Sequence, residues 1–209
     1  MKKQLFLSTL LLIFAFVIGI IVGNSLGNSE LKKADRFIRQ SELSTESYLL
    51  EQEILQGFNQ SCDLAQARLS ELSSELWQLG KILGTETAKQ DLGEENYHTL
   101  KLKYHLMQIK TYLLYYKLNR DCKINTPVVL FYYKQNDTAS KEQGIILDKF
   151  VEKYGIKVFA IEFNYSKELK FLEINYGIDQ GPSLVINYKT KKTGLTSYDN
   201  IKSVLGVTG

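Results

Sequence analysis

The residues of this 209-residue chain best suited to covalent chemistry are its two cysteines, Cys62 and Cys122. A thiol attacks only as thiolate. Oxidoreductases usually lower its pKa in a Cys-x-x-Cys turn at a helix N-terminus, and these two cysteines stand sixty residues apart. A structural disulfide in an oxidising compartment is therefore the leading reading, with two buried free thiols and a redox-active pair as the alternatives. His98 and His105, seven apart, fall near one face of one helix and could ligate a metal, but no third ligand stands nearby. They read as polar surface, and neither a metal nor a cofactor is expected. Asp137, Thr138 and Ser140 could hold a ligand at a helix N-terminus or simply cap that helix. No Ser-His-Asp order, phosphate-binding loop or nucleotide glycine motif accompanies them, so no catalytic residue is expected.

The elements that must position the cysteines are helical. Cys62, Ala65, Leu69, Leu72, Leu76, Leu79 and Leu83 recur in steps of three and four, the spacing of a coiled-coil seam on one helix face. Tyr97, Leu100, Tyr104, Met107, Thr111, Leu114, Leu118 and Cys122 form a second such stripe. Gly84 and Gly93, with polar residues between them, mark the break, and a short connection favours antiparallel neighbours. The midpoint of the two cysteines is position 92, at that break. Folding the chain there brings Cys62 and Cys122 to the same open end of an αα-hairpin, both on the apolar side.

Past Cys122 the periodicity changes. Pro127 and the run Val128-Val129-Leu130-Phe131-Tyr132-Tyr133 read as a strand buried on both faces. Residues 140–154 have helical spacing and Gly155 is placed to end the helix. A second strand over 156–163, a helix opened by Ser166 and running to Tyr176, a third strand over 183–188, a polar turn around 189–191, a short strand over 193–195 and a last helix capped by Thr196 or Ser197 complete the pattern.

This order of elements, together with the buried first strand and the segment Gly181-Pro182-Ser183-Leu184-Val185-Ile186, resembles the thioredoxin-like superfamily over residues 124–209. The resemblance implies that Pro182 is the cis-proline preceding the third strand. Enzymes of that superfamily carry Cys-x-x-Cys after the first strand, at the start of the following helix. Here the stretch reads Lys134-Gln135-Asn136-Asp137-Thr138-Ala139-Ser140-Lys141, with no cysteine. Dithiol exchange at the usual position is excluded.

At the other end of the chain, residues 5–22 are apolar apart from Ser8 and Thr9 and carry no charge, long enough for a membrane-spanning helix. Lys2 and Lys3 precede the run, which places the N-terminus in the cytoplasm and the body outside. A cleaved signal peptide is the rival, with Gly23-Asn24-Ser25 a poor cleavage site. Between this run and the first stripe, residues 31–58 carry scattered apolar positions that fit one or two further helices.

The composition, 44% hydrophobic and 23% charged with a formal charge of +3, is that of a folded protein. Its cations are mostly dispersed lysines rather than an Arg-rich face, which speaks against nucleic acid. The expected fold class is thus α/β with an N-terminal transmembrane helix (residues 1–28 as anchor), a helical hairpin stalk over 29–122 and a thioredoxin-like domain over 124–209. The expected function is a membrane-anchored, extracytoplasmic, non-catalytic binding or scaffolding protein. Its partners would be the lipid bilayer, through residues 5–22, and another extracytoplasmic protein. The alternative is an extracytoplasmic thiol-disulfide oxidoreductase using Cys62 and Cys122.

Overall fold

The computed structural model describes residues 62–85 and 87–207, together with the single positions Lys32, Arg36 and Arg39. Helix α1 (Cys62–Leu83) buries Ala65, Leu69, Leu72, Leu76, Leu79 and Leu83, the stripe that its spacing of three and four aligns on one face. A five-residue helix α2 (Ala88–Leu92), absent from the sequence reading, fills the connection. Gly93, at φ 78°, then turns the chain into α3 (Glu94–Cys122). Helices α1 and α3 form the expected hairpin, and one disulfide joins Cys62 to Cys122 with Cα atoms 5.8 Å apart.

Strand β1 (Val128–Tyr133) leads to α4 (Thr138–Tyr154), and β2 (Lys157–Glu162) follows. A short 3-10 turn (Lys167–Leu169) leads into α5 (Lys170–Tyr176), and β3 (Ser183–Ile186), β4 (Thr190–Thr193) and α6 (Tyr198–Leu205) complete the chain. The sheet order is β2-β1-β3-β4. β1 pairs parallel to β2, with Val128 opposite Lys157, and antiparallel to β3, with Val129 opposite Ile186. β3 and β4 are antiparallel, Ser183 facing Thr193.

Because successive strand residues point to opposite faces, β1 divides its side chains between two apolar layers. Val128, Leu130 and Tyr132 join Phe159, Ile161 and Val185 against the hairpin and α5. Val129 and Phe131 join Leu184 and Ile186 against Leu147 and Phe150 of α4 and Ile201 and Leu205 of α6. The central sheet is therefore covered on both sides, which is why its first strand reads as an unbroken apolar run.

One part of the expected fold class is corrected. Among the described residues no helix is long and apolar enough to cross a membrane, since α1 and α3 carry Asp, Glu, Lys and Arg along their outer faces. The apolar run 5–22 and the apolar positions of 31–58 lie outside the described residues. The hairpin packs on the domain that follows it: α1, α3 and one face of the sheet share a single core. The reason is a second buried face on α3, formed by Lys101, His105, Gln108, Tyr112 and Tyr115, which lies against the sheet while the Leu-rich stripe lies against α1.

The β3–β4 connection also differs from the expected turn at 189–191. Asn187 (φ 49°) and Tyr188 (φ 64°) form a tight left-handed turn in which the Lys189 N–H donates to the Ile186 carbonyl at 3.2 Å. The turn thus falls on Asn187 and Tyr188, ahead of the polar residues 189–191, and contains no glycine. Tertiary contacts hold it: the Asn187 N–H donates to the Val128 carbonyl and its side-chain oxygen accepts from the Val128 N–H, while the Tyr188 ring packs on Tyr112 and Tyr116.

Candidate functional site

Ligands of open α/β sheets gather outside the carboxyl ends of the strands, and here that end combines two features. The first is the loop from β1 to α4. Asp137 caps α4, its carboxylate accepting from the Ser140 N–H at 2.7 Å, and the Ser140 side chain, then that backbone bond, hold the Asp137 carboxyl below its usual range. The Ser140 hydroxyl oxygen accepts from the Lys134 N–H at 3.0 Å. The loop's polar groups thus bond to one another. Across from it, the Gly181–Pro182 bond is cis and Pro182 is buried. A Cβ on Gly181 would come 3.0 Å from the Lys134 backbone nitrogen and 3.1 Å from the Tyr133 carbonyl carbon. Gly181, the residue before Pro182, therefore lies against the start of the β1–α4 loop. Behind them the Gln143 side-chain oxygen accepts from the Thr196 N–H at 2.7 Å.

The second feature is a buried charge in a box of rings. Lys101 Nζ lies 2.6 Å from a Glu162 carboxylate oxygen, with side-chain exposures of 6% and 14%, and donates to the Tyr97 hydroxyl at 3.0 Å. The rings of Tyr97, Tyr165 and Tyr133 stand 5.2, 5.3 and 6.0 Å from the same ammonium, within cation–π range. Burial, then the Glu162 charge, pushes the Tyr165 hydroxyl up to about 12. Burial likewise raises Tyr133, with Glu162 the next cause. These phenols are neutral at physiological pH, so they act as donors, acceptors and ring faces rather than as bases.

His105 lies one turn from Lys101, and the sequence reading put it on a polar surface. It is instead fully buried, 0% exposed, with its ring 5.1 Å from Tyr165 and 5.4 Å from Tyr104. Neither of its ring nitrogens makes a hydrogen bond among the described residues. Burial, then the Lys101 charge, lowers its pKa to about 3 against an opposing pull from the Ala160 backbone, whose approach to the ring falls short of a well-formed hydrogen bond. His98 is half-exposed at the rim, its Nδ1 2.9 Å from the Tyr165 hydroxyl. The two histidines share no ligand, and among the described residues no group of three or more His, Cys, Asp and Glu could hold a metal ion.

A separate tyrosine layer continues along α3 towards the other end of the sheet. The Tyr112 and Tyr176 hydroxyls are 2.7 Å apart, and the Ser73 hydroxyl, which also donates to the Leu69 carbonyl, is 3.3 Å from the Tyr115 hydroxyl. Beyond it lies the disulfide. Asn119, one turn before Cys122, bonds both the N–H and the carbonyl of Thr126, just ahead of β1. The disulfide therefore sits at the amino end of β1, and six strand residues, roughly 20 Å at 3.3 Å each, separate that end from Lys134.

The structure thus pairs Cys62 with Cys122, puts Pro182 beside the β1–α4 loop, and keeps the two sites at opposite ends of the sheet. Sequence reasoning missed Lys101, Glu162, Tyr133 and Tyr165. The one available signal was a lysine and a histidine four apart on the inward side of an amphipathic helix.

No protein-family model matches the chain, and no curated protein matches it. Among solved structures it is similar to one described as "Structure of a malarial protein", at 18% identity and a TM-score of 0.32, over 39% of this chain and 94% of that one. A likeness of that size carries no argument about fold or function.

Proposed function

We propose that the chain is a non-catalytic binding or scaffolding protein of an oxidising, extracytoplasmic compartment, built on a thioredoxin-like unit that has lost its dithiol. The observation that carries the reading is chemical. The β1–α4 loop beside cis-Pro182, where that superfamily keeps Cys-x-x-Cys, holds Lys134, Asp137 and Ser140 bonded to one another and no thiol. Both cysteines are instead joined to each other, at the far end of the sheet, and no free cysteine stands among the described residues. Sheet order β2-β1-β3-β4 with a parallel β1–β2 pair supports the thioredoxin-like assignment, and the disulfide supports the compartment.

The test is a thiol-disulfide exchange assay on the purified protein, oxidised and pre-reduced, against a mixed-disulfide peptide. The reading expects turnover no faster than that of the Cys62→Ser/Cys122→Ser variant. Turnover well above buffer and lost in that variant would favour the oxidoreductase instead.

A further inference from the structure

Two triplets among the described residues have the form Asn-x-Ser/Thr, the acceptor pattern for N-linked sugar: Asn136-Asp137-Thr138 and Asn164-Tyr165-Ser166. A third, Asn59-Gln60-Ser61, lies outside the described residues. The fold accounts for the first without any modification. Asn136, at φ 59°, makes the turn after β1, Asp137 caps α4 and Thr138 opens that helix. These residue types fill such places for their own local chemistry.

The second triplet is different. Asn164 follows β2, also left-handed at φ 56°, and its backbone N–H donates to the Glu173 carboxylate at 2.8 Å. Tyr165 turns inward, its hydroxyl donating to the His98 carbonyl at 3.2 Å and its ring 5.1 Å from that of His105. The loop is pinned on both sides, while Asn164 is exposed and its carboxamide makes no hydrogen bond among the described residues. Ser166 is the anomaly. Its hydroxyl oxygen is buried, caps nothing and has no hydrogen-bond partner among the described residues. The Glu168 carboxylate approaches it without forming a well-shaped bond. A buried hydroxyl left unbonded costs about 1 to 3 kcal/mol. Alanine would therefore serve the folded protein better, and the serine needs a reason outside the fold.

We propose that Asn164 carries an N-linked glycan, attached before the loop folds, while the Ser166 hydroxyl is still open to the oligosaccharide transferase that reads it. In that step the Asn164 carboxamide nitrogen bonds to the anomeric carbon of a lipid-diphosphate-linked oligosaccharide. The bond from that carbon to the phosphate oxygen breaks, the lipid diphosphate leaves, and the nitrogen's proton passes to a base of the transferase. The proposal rests on the extracytoplasmic compartment of the proposed function, where such donors are used. Once folded, the loop presents the sugar to solvent at the carboxyl end of β2, next to the rim of the Lys101 box.

Protein purified from its own organism, digested with trypsin without reduction and read by mass spectrometry, tests the proposal. Cleavage after Lys157 and Lys167 releases Asn164 on the peptide 158–167, which should appear mainly with hexose or N-acetylhexosamine masses added at Asn164. In the same organism Ser166→Ala should abolish the addition and Ser166→Thr should keep it; loss in neither variant would overturn the role given to the hydroxyl. The digest also reports the disulfide. An unmodified 158–167 peptide beside an intact Cys62–Cys122 link would overturn the glycan and leave the compartment standing, whereas an unmodified peptide with reduced cysteines would overturn both. Sugar on Asn136 and not on Asn164 would refute the argument from Ser166. A second measurement needs no sugar: in the full-length chain made in a host without the transferase, Ser166→Ala should unfold at the same temperature as the wild type or higher. A lower midpoint would give the hydroxyl a structural role and remove the ground of the proposal.

Discussion

His105→Phe should leave the protein nearly as stable as before at pH 8 and make it clearly more stable at pH 5. The imidazole is fully buried with both nitrogens unbonded among the described residues, so a ring of similar size removes orphaned polar atoms without opening a large cavity. Its folded-state pKa of about 3 lies below the ordinary 6.5. Below pH 6.5 the unfolded chain binds a proton that the folded chain refuses until about pH 3. The stability associated with this group is therefore complete above pH 6.5 and lost as pH falls towards 3. At pH 5 the gap is 1.5 units, which at 1.36 kcal/mol per unit is about 2 kcal/mol. Other groups facing the ring, Lys101 on the same helix, Tyr133 on β1 and Tyr165 after β2, are present in both proteins and cancel in the difference. The assay is urea denaturation of both at pH 8, 7, 6 and 5. A wild-type minus variant difference that stays flat over that range would refute the buried, neutral imidazole.

Lys101→Met should cost about 3 to 5 kcal/mol, because it strands the Glu162 carboxylate at 14% exposure; adding Glu162→Leu should recover most of the loss in thermal unfolding. Replacing both cysteines by serine reopens a loop of sixty residues and should destabilise by about 4 kcal/mol in the loop-entropy model, read as a lower denaturant midpoint. Gly181→Ala should cost about 1 to 3 kcal/mol, since its Cβ meets the Tyr133–Lys134 backbone at 3.0 to 3.1 Å. Gly144→Ala, inside α4 with nothing within 4 Å of the new Cβ, should instead stabilise by about 0.5 to 1 kcal/mol; equal effects at the two glycines would contradict the close approach at Pro182.

The sequence alone determined the local elements and one long-range contact. Stripes such as Leu69-Leu72-Leu76-Leu79 and Tyr97-Leu100-Tyr104 fix helices because one face of each must leave water. Two such helices joined by a short link bring Cys62 and Cys122 together, as the 5.8 Å Cα separation records. Tertiary structure alone decided the second face of α3. Lys101, His105, Gln108, Tyr112 and Tyr115 look polar in any hydropathy pattern, and burial favours them only where Glu162, the tyrosine rings and the sheet meet them from the far side of the chain. The same holds for the turn at Asn187 and Tyr188. Neither residue prefers a left-handed backbone as glycine does, and the bonds to Val128 and the packing on Tyr112 that hold it come from segments about sixty and seventy-five residues away. Amphipathic periodicity records which face of an element avoids water. It does not record a polar face whose partners are supplied by another part of the fold.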